Sequence, residues 1–147
     1  FDLVHVQQVT GLDEYDAVVI GSAVYMDHWI RAAHEFTTTR QRELASKQVW
    51  LFSSGPIGEP PRPAARTRDV DELMMLTGAR QHQVFGGRLD KQLLTFGEKA
   101  IVRLIGAASG DYRDWPAIES WATDIALVLR ESGAAAAPRC LIDGGAD

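Results

Sequence analysis

Ala17-Val18-Val19-Ile20-Gly21-Ser22-Ala23-Val24-Tyr25 sets four apolar residues in a row without alternation, then two small residues, and closes on an aromatic one. An unbroken Val/Ile run of this length predicts a parallel strand buried on both faces. Open α/β sheets bind their ligands beyond the carboxyl ends of the strands. Small residues at that end let a ligand come close to the backbone. The same grammar returns at Val49-Trp50-Leu51-Phe52-Ser53-Ser54-Gly55-Pro56-Ile57-Gly58. The two strand ends are expected to form one wall of a site for a flat cofactor. Ser22, Ala23, Val24 and Tyr25 would come from the first end, and Ser53, Ser54, Gly55, Pro56, Ile57 and Gly58 from the second.

At 147 residues the chain is long enough for one domain with a real core. A net charge of −5 argues against nucleic acid as the main partner, because phosphate backbones require a basic face. The single cysteine, Cys140, excludes an internal disulfide framework and a Cys-rich metal site, and fits a reducing, cytoplasmic setting. No apolar run approaches the ~18 residues of a spanning helix. The chain opens on Phe1 rather than Met, so residue 1 need not be where translation began.

Outward from the opening stretch, residues 1–6 read as a strand with Leu3, Val4 and Val6 as its apolar members. A helix is expected over about 28–45, capped by Asp27, with Ile30, Ala33, Phe36 and Leu44 near one face. Residues 48–53 form the next strand. Residues 54–66 then carry Gly-Pro-Ile-Gly-Glu-Pro-Pro-Arg-Pro, and irregular loops of this length are often functional. Thr67 can cap a further helix, with Asp69 and Asp71 favourable in its first turn, Val70, Leu73, Met74 and Thr77 as its buried stripe and Gly78 as terminator. Residues 81–87 read as a strand ending in Gly86-Gly87. Strands alternating with helices imply βα units and a parallel sheet.

The alternation breaks over 88–113, where Phe96, Ala100, Ile101, Leu104 and Ile105 stand at helical spacing. The last helix is capped by Asp114, has Pro116 in its first turn, and aligns Ile118, Trp121, Ala122, Ile125 and Leu129 in one stripe. Beyond Ser132 the Gly/Ala/Pro-rich residues offer little to bury, so a disordered tail is expected over 132–147.

Tyr-Asp-Ala-Val-Val-Ile-Gly-Ser-Ala-Val-Tyr, Phe-Ser-Ser-Gly-Pro-Ile-Gly, Val-Phe-Gly-Gly-Arg-Leu-Asp and Asp-Tyr-Arg-Asp-Trp, in this order, resemble the flavodoxin-like domain proteins. The branch that looks closest is that of the menaquinone-dependent protoporphyrinogen dehydrogenases (protoporphyrinogen oxidases), whose extra helix is similar to residues 97–105. The resemblance covers nearly all of residues 1–130, with its motifs in the right order though each is short. The resemblance implies a three-layer flavodoxin-like α/β sandwich with a parallel sheet, FMN as cofactor, and an oxidoreductase or electron carrier. It also exposes a departure. The family opens with a strand, a Ser/Thr-rich phosphate loop and a helix, and no residues here match them. The missing strand would leave a slot in the middle of the sheet, between the strands at residues 3–6 and 17–20. Burying one large apolar side chain contributes ~1.5–3 kcal/mol, so a lost central strand rivals the ~5–15 kcal/mol of a whole domain. An N-terminally truncated chain is expected; a marginal fold, or another segment in the slot, are the alternatives.

Plain readings stand beside the functional ones. Tyr25 either stacks on the ring or packs a helix against the sheet, and Trp29 is expected to pack. Gly55-Pro56 is a turn or a ligand contact, its place at a strand end favouring contact. Arg62, Arg66 and Arg68 could meet a carboxylate-bearing substrate such as a porphyrin, or a partner's acidic face, but are expected to be solvated. His28, His34, His82 and Cys140 lack metal-ligand spacing, and Cys140 has no base nearby for a nucleophile's role. No catalytic residue is assigned, since the redox chemistry would belong to the cofactor. Lys99 and Arg103 on the helix over 96–105 could touch a membrane surface carrying a quinone, though packing over the sheet edge is the ordinary explanation. The expected function is an FMN-dependent oxidoreductase with a small-molecule substrate or redox partner. The alternatives are a simple electron-transfer flavodoxin and a non-catalytic α/β interaction module without FMN.

Overall fold

The structure, a computed structural model, describes residues 2–25, 27–55, 68–89, 110–133 and 139–143, with the backbone alone for Tyr25, Leu89 and residues 139–143. In chain order its elements are β1 (Leu3–Val4), a 3-10 turn (Val6–Gln8), β2 (Ala17–Tyr25), β3 (His28–Trp29), α1 (Arg31–Thr39), α2 (Gln41–Leu44), β4 (Gln48–Ser54), α3 (Arg68–Thr77), β5 (Gln81–Phe85), β6 (Arg88–Leu89), β7 (Gly110–Asp111), α4 (Trp115–Glu131) and β8 (Arg139–Asp143). The main sheet runs β1-β8-β2-β4-β5, all parallel, with β3 folded back on β2; β6 and β7 form a separate antiparallel pair.

The Val/Ile run of β2 behaves as its composition predicts. Ala17, Val18, Val19 and Ile20 are all buried, and alternate residues serve opposite faces. Val18 and Ile20, with Val49 and Leu51 of β4, pack against Ala33, Phe36, Leu44, Val70 and Leu73 from α1, α2 and α3. Ala17 and Val19, with Trp50 and Phe85, pack against Trp121, Ile125 and Leu129 of α4. Helices on both faces of a parallel sheet make the three-layer α/β sandwich. On the α4 face Phe52, Phe85 and Trp121 meet edge to face, with centroids 5.5–5.9 Å apart. Such aromatic pairs add ~0.5–1.5 kcal/mol each beyond the area they bury.

Gly21 has a structural reason that the sequence does not suggest. It pairs with Phe52 across β2 and β4, and a Cβ on it would fall inside the Phe52 ring. Its smallness makes room for a core aromatic, not for an approaching ligand.

Helix starts and stops follow local chemistry in two of three cases. Asp114 caps α4, its Oδ1 accepting from Ala117 N at 3.1 Å, with proline in the first turn. Gly78 ends α3 at φ +65°, the left-handed conformation that favours glycine there. The expected helix over 28–45 is corrected: it begins at Arg31 and divides at Arg40 into α1 and α2. Asp27 is no cap; it sits in a hairpin turn at φ 67°, and Ile30 precedes the helix without a side-chain cap. Ala122 is exposed rather than part of the buried stripe of α4. Thr67 and the helix expected over 96–105 lie outside the described residues.

The largest correction is at the tail. Residues 139–143, expected to be disordered, form β8 and occupy the slot between β1 and β2. Five residues of β2, Val18 to Ser22, pair with Arg139 to Asp143, while Leu3 and Val4 pair with Cys140 and Leu141 on the other side. Every buried backbone N–H and C=O needs a partner, and an open inner edge of β2 would leave a row of them unmet. Arg139-Cys140-Leu141-Ile142 supplies the β-compatible segment that closes it. Because both edges of β8 are paired, Leu141→Pro removes a ladder hydrogen bond from a central strand. It is expected to destabilise the fold by ~1–3 kcal/mol through the backbone partner left unmet, read as a lowered urea midpoint. Gly21→Ala is expected to cost ~1–3 kcal/mol, a loss that Phe52→Leu in the same chain should partly restore.

Candidate functional site

The carboxyl ends of β8, β2, β4 and β5 share one edge of the sheet, and β2 overshoots its neighbours. Its last partner on β4 is Ser54, opposite Ala23. Past that point the chain doubles back, with Val24 opposite Trp29 and Tyr25 opposite His28. Aspartate is one of the few non-glycine residues that tolerates the positive φ of such a turn, and Asp27 occupies it.

One carboxylate secures this hairpin to α3. Asp69 Oδ2 accepts from Trp29 N at 2.9 Å, while Asp69 Oδ1 lies 2.8 Å from His28 Nδ1. Arg68 N donates to Asp27 O at 3.2 Å beside it. A second tie runs underneath. The buried Trp29 ring donates from Nε1 to Ser53 Oγ at 2.8 Å, and Ser53 Oγ also lies 2.8 Å from His82 Nε2 on β5. β3, β4 and β5 are thereby joined through one hydroxyl. Ser22 Oγ, equally buried, accepts from Ile30 N at 3.0 Å and donates to Ala23 O at 2.8 Å.

These bonds place the residues expected to bind a cofactor. Ser22 and Ser53 are 1% exposed, with hydroxyls engaged inside the protein. Ala23 and Val24 are half-buried at the rim. Ser54 ends β4 opposite Phe85, and Gly55 N donates to Phe85 O at 3.3 Å. A Cβ on Gly55 would lie 3.2 Å from Val24 Cβ, and one on Gly87 3.3 Å from Gly55 Cα, so Val24, Gly55 and Gly87 adjoin closely. Toward solvent these strand ends present the half-buried Val24, Ser54 and Gly55, with the buried Gly87 packed behind Gly55. The Tyr25 side chain, Met26, Pro56, Ile57 and Gly58 lie outside what is described, as do Arg62 and Arg66. Trp29 packs in the core, as expected of it.

Tyr112 N donates to Gly87 O at 3.0 Å, which brings the Asp-Tyr-Arg-Asp-Trp segment to the β5 end of the rim. There Arg113 forks onto Asp111 at 2.8 and 2.5 Å and lies over the Trp115 ring, 4.9 Å from its centroid. Arg113's hydrogen bonds hold the Asp111 carboxyl down to about 2. Trp115 is 52% exposed, an aromatic surface set by a fixed cation. At the other end of the rim, Asp143 closes β8 opposite Ser22.

Sequence reading did not find the His28–Asp69, Ser53–His82 or Arg113–Trp115 pairings. Asp69 was legible only as a helix-start acid, and 40 residues separate it from Trp29. Among the described residues no group of three or more His, Cys, Asp or Glu could hold a metal ion. A concavity of ≈ 420 Å³ lined by Asp16, Ser46, Lys47, Gln48 and Ser132 opens at the amino edge of the sheet. It is polar and stands away from the strand ends where open α/β sheets take ligands, so the rim is the better candidate.

A family model described as Flavodoxin domain matches residues 1–115. No curated protein and no solved structure matches the chain.

Ser53→Ala is expected to lower stability by about 1–3 kcal/mol, because it strands the buried Trp29 N–H beside His82; chemical denaturation measures it. In an NMR pH titration Asp111 is expected to protonate near 2. Its folded-state value is depressed, so its contribution to stability is present above the ordinary carboxylate range and lost as pH falls through the folded value. Arg113→Gln should return the titration toward the ordinary aspartate value of 3.8.

Proposed function

Because the chain belongs to the flavodoxin domain family, we propose that it binds a flavin ring at the carboxyl edge of its sheet and serves electron transfer or an oxidoreductase reaction. The observation that carries this reading is the close-packed rim of Val24, Gly55 and Gly87 at the strand ends, walled by a hairpin that Asp69 and Trp29 hold in place. A flat ring needs a flat apolar contact with backbone at its edge, and binding is tighter where the surface is already ordered. The ring of FMN suits this rim. Its phosphate would not be met by the Ser22 and Ser53 hydroxyls, which are engaged internally.

The finer reading is an FMN-dependent dehydrogenase of the protoporphyrinogen/quinone type, supported by the Asp111–Trp115 segment lying beside Gly87. A bound flavin would supply the redox chemistry. The chain's own residues would place it: Val24 and Gly55 at the ring, and the exposed Trp115, its ring held by Arg113, offering an aromatic surface to a planar substrate. Among the described residues no helix is long and apolar enough to cross a membrane. Meeting a quinone at a membrane surface, or a redox partner, belongs to this proposal.

Purified chain is expected to take up added flavin, seen as quenching of flavin fluorescence and a shifted visible spectrum. Uptake of neither FMN nor riboflavin would leave the non-catalytic interaction module as the reading. With flavin bound, quinone-dependent oxidation of protoporphyrinogen is the expected activity; flavin reduction and reoxidation without it would identify an electron carrier.

A further inference from the structure

The Ser22 and Ser53 hydroxyls at the carboxyl edge are buried and bonded inward. His28 is different. Its side chain is 56% exposed, and its pairing with Tyr25 places it on the hairpin that carries β2 past its neighbours. Its ring is held through one nitrogen. Nδ1 lies 2.8 Å from Asp69 Oδ1, and the Asp69 side chain, 13% exposed, is itself fixed because Oδ2 accepts from Trp29 N at 2.9 Å. An ionised carboxylate can only accept. The proton of the neutral imidazole therefore sits on Nδ1, and Nε2 is left as a bare acceptor. Among the described residues Nε2 has no hydrogen-bond partner.

We propose that His28 Nε2 is a specificity-determining acceptor for the bound ring, taking a hydrogen bond from the imide N–H of a flavin. Asp69 is the positioning residue that keeps Nε2 free of a proton. The inference rests on the flavin reading above and deepens it. The imide edge of an isoalloxazine carries one N–H donor between two carbonyl acceptors. The opposite imidazole tautomer would present a second donor to that N–H and leave it unmet. The direction of the His28–Asp69 bond thus decides which group on the ring edge His28 selects. One such bond, partly open to water, is worth about fivefold in affinity.

The test begins with the unliganded full chain. Long-range proton–nitrogen NMR correlation in mildly alkaline buffer, where imidazole is neutral, is expected to show His28 protonated at Nδ1 and bare at Nε2. The reverse tautomer overturns the inference. Fluorescence titrations with lumiflavin and 3-methyl-lumiflavin then compare two rings that differ only at the imide nitrogen. Lumiflavin is expected to bind about fivefold more tightly, and His28→Phe should remove that preference. Asp69→Asn should remove it too. The amide oxygen still accepts from Trp29 N, but the amide N–H now faces His28 Nδ1 and moves the ring proton to Nε2. A merely structural role for Asp69 would weaken both analogues alike. If either variant fails to fold, the tautomer and the analogue ratio of the unaltered chain decide. Equal binding of the two analogues, or a preference that survives both variants, overturns the inference and leaves the flavin reading standing. Binding of neither analogue overturns both.

Discussion

A buried parallel strand must have both of its edges paired, and β2 is the strand on which that requirement falls. One edge is met along seven residues by β4. The other is met by β8, a segment more than a hundred residues further along the chain, which also connects β1 to the sheet. Unmet backbone groups in a core cost as much as lost hydrogen bonds, and here they would come as a contiguous row. The two helical layers presuppose this closure. Val18 and Ile20 can bury against α1 and α3, and Val19 against α4, only in a sheet whose centre is continuous.

The same economy governs the carboxyl edge. Serines at strand ends invite a ligand-binding interpretation, and Ser22 and Ser53 would be natural donors to a cofactor. Burial changes their role. A buried N–H such as Trp29 Nε1 needs an acceptor, and Ser53 Oγ is positioned to be one while also meeting His82. The Ser22 and Ser53 hydroxyls therefore hold the hairpin and the strand ends in place, while Ser54, Val24 and Gly55 remain half-exposed beside them.

Much of this was legible from particular residues. The Val/Ile run of β2 and the matching run in β4 announced buried parallel strands; Asp114 and Pro116 announced the start of α4, and Gly78 the end of α3. Each of these signals is local, set by the side chain or the φ angle of the residue itself. Asp27 misled because an acid before a helical pattern suits a cap and a hairpin turn equally well, and only the pairing of Tyr25 with His28 separates them. Gly21 misled for a similar reason, since what fills the space beside it is Phe52, thirty-one positions later.

By itself, then, the sequence determined the α/β class and the burial of β2 and β4, because run length, periodicity and capping act over a few residues. Only the tertiary structure decided that Arg139–Asp143 completes the sheet and that Asp69 and Ser53 tie the hairpin to the strand ends. Those outcomes depend on which backbone and polar groups lack partners once distant segments have packed, and no short stretch of the chain carries that information.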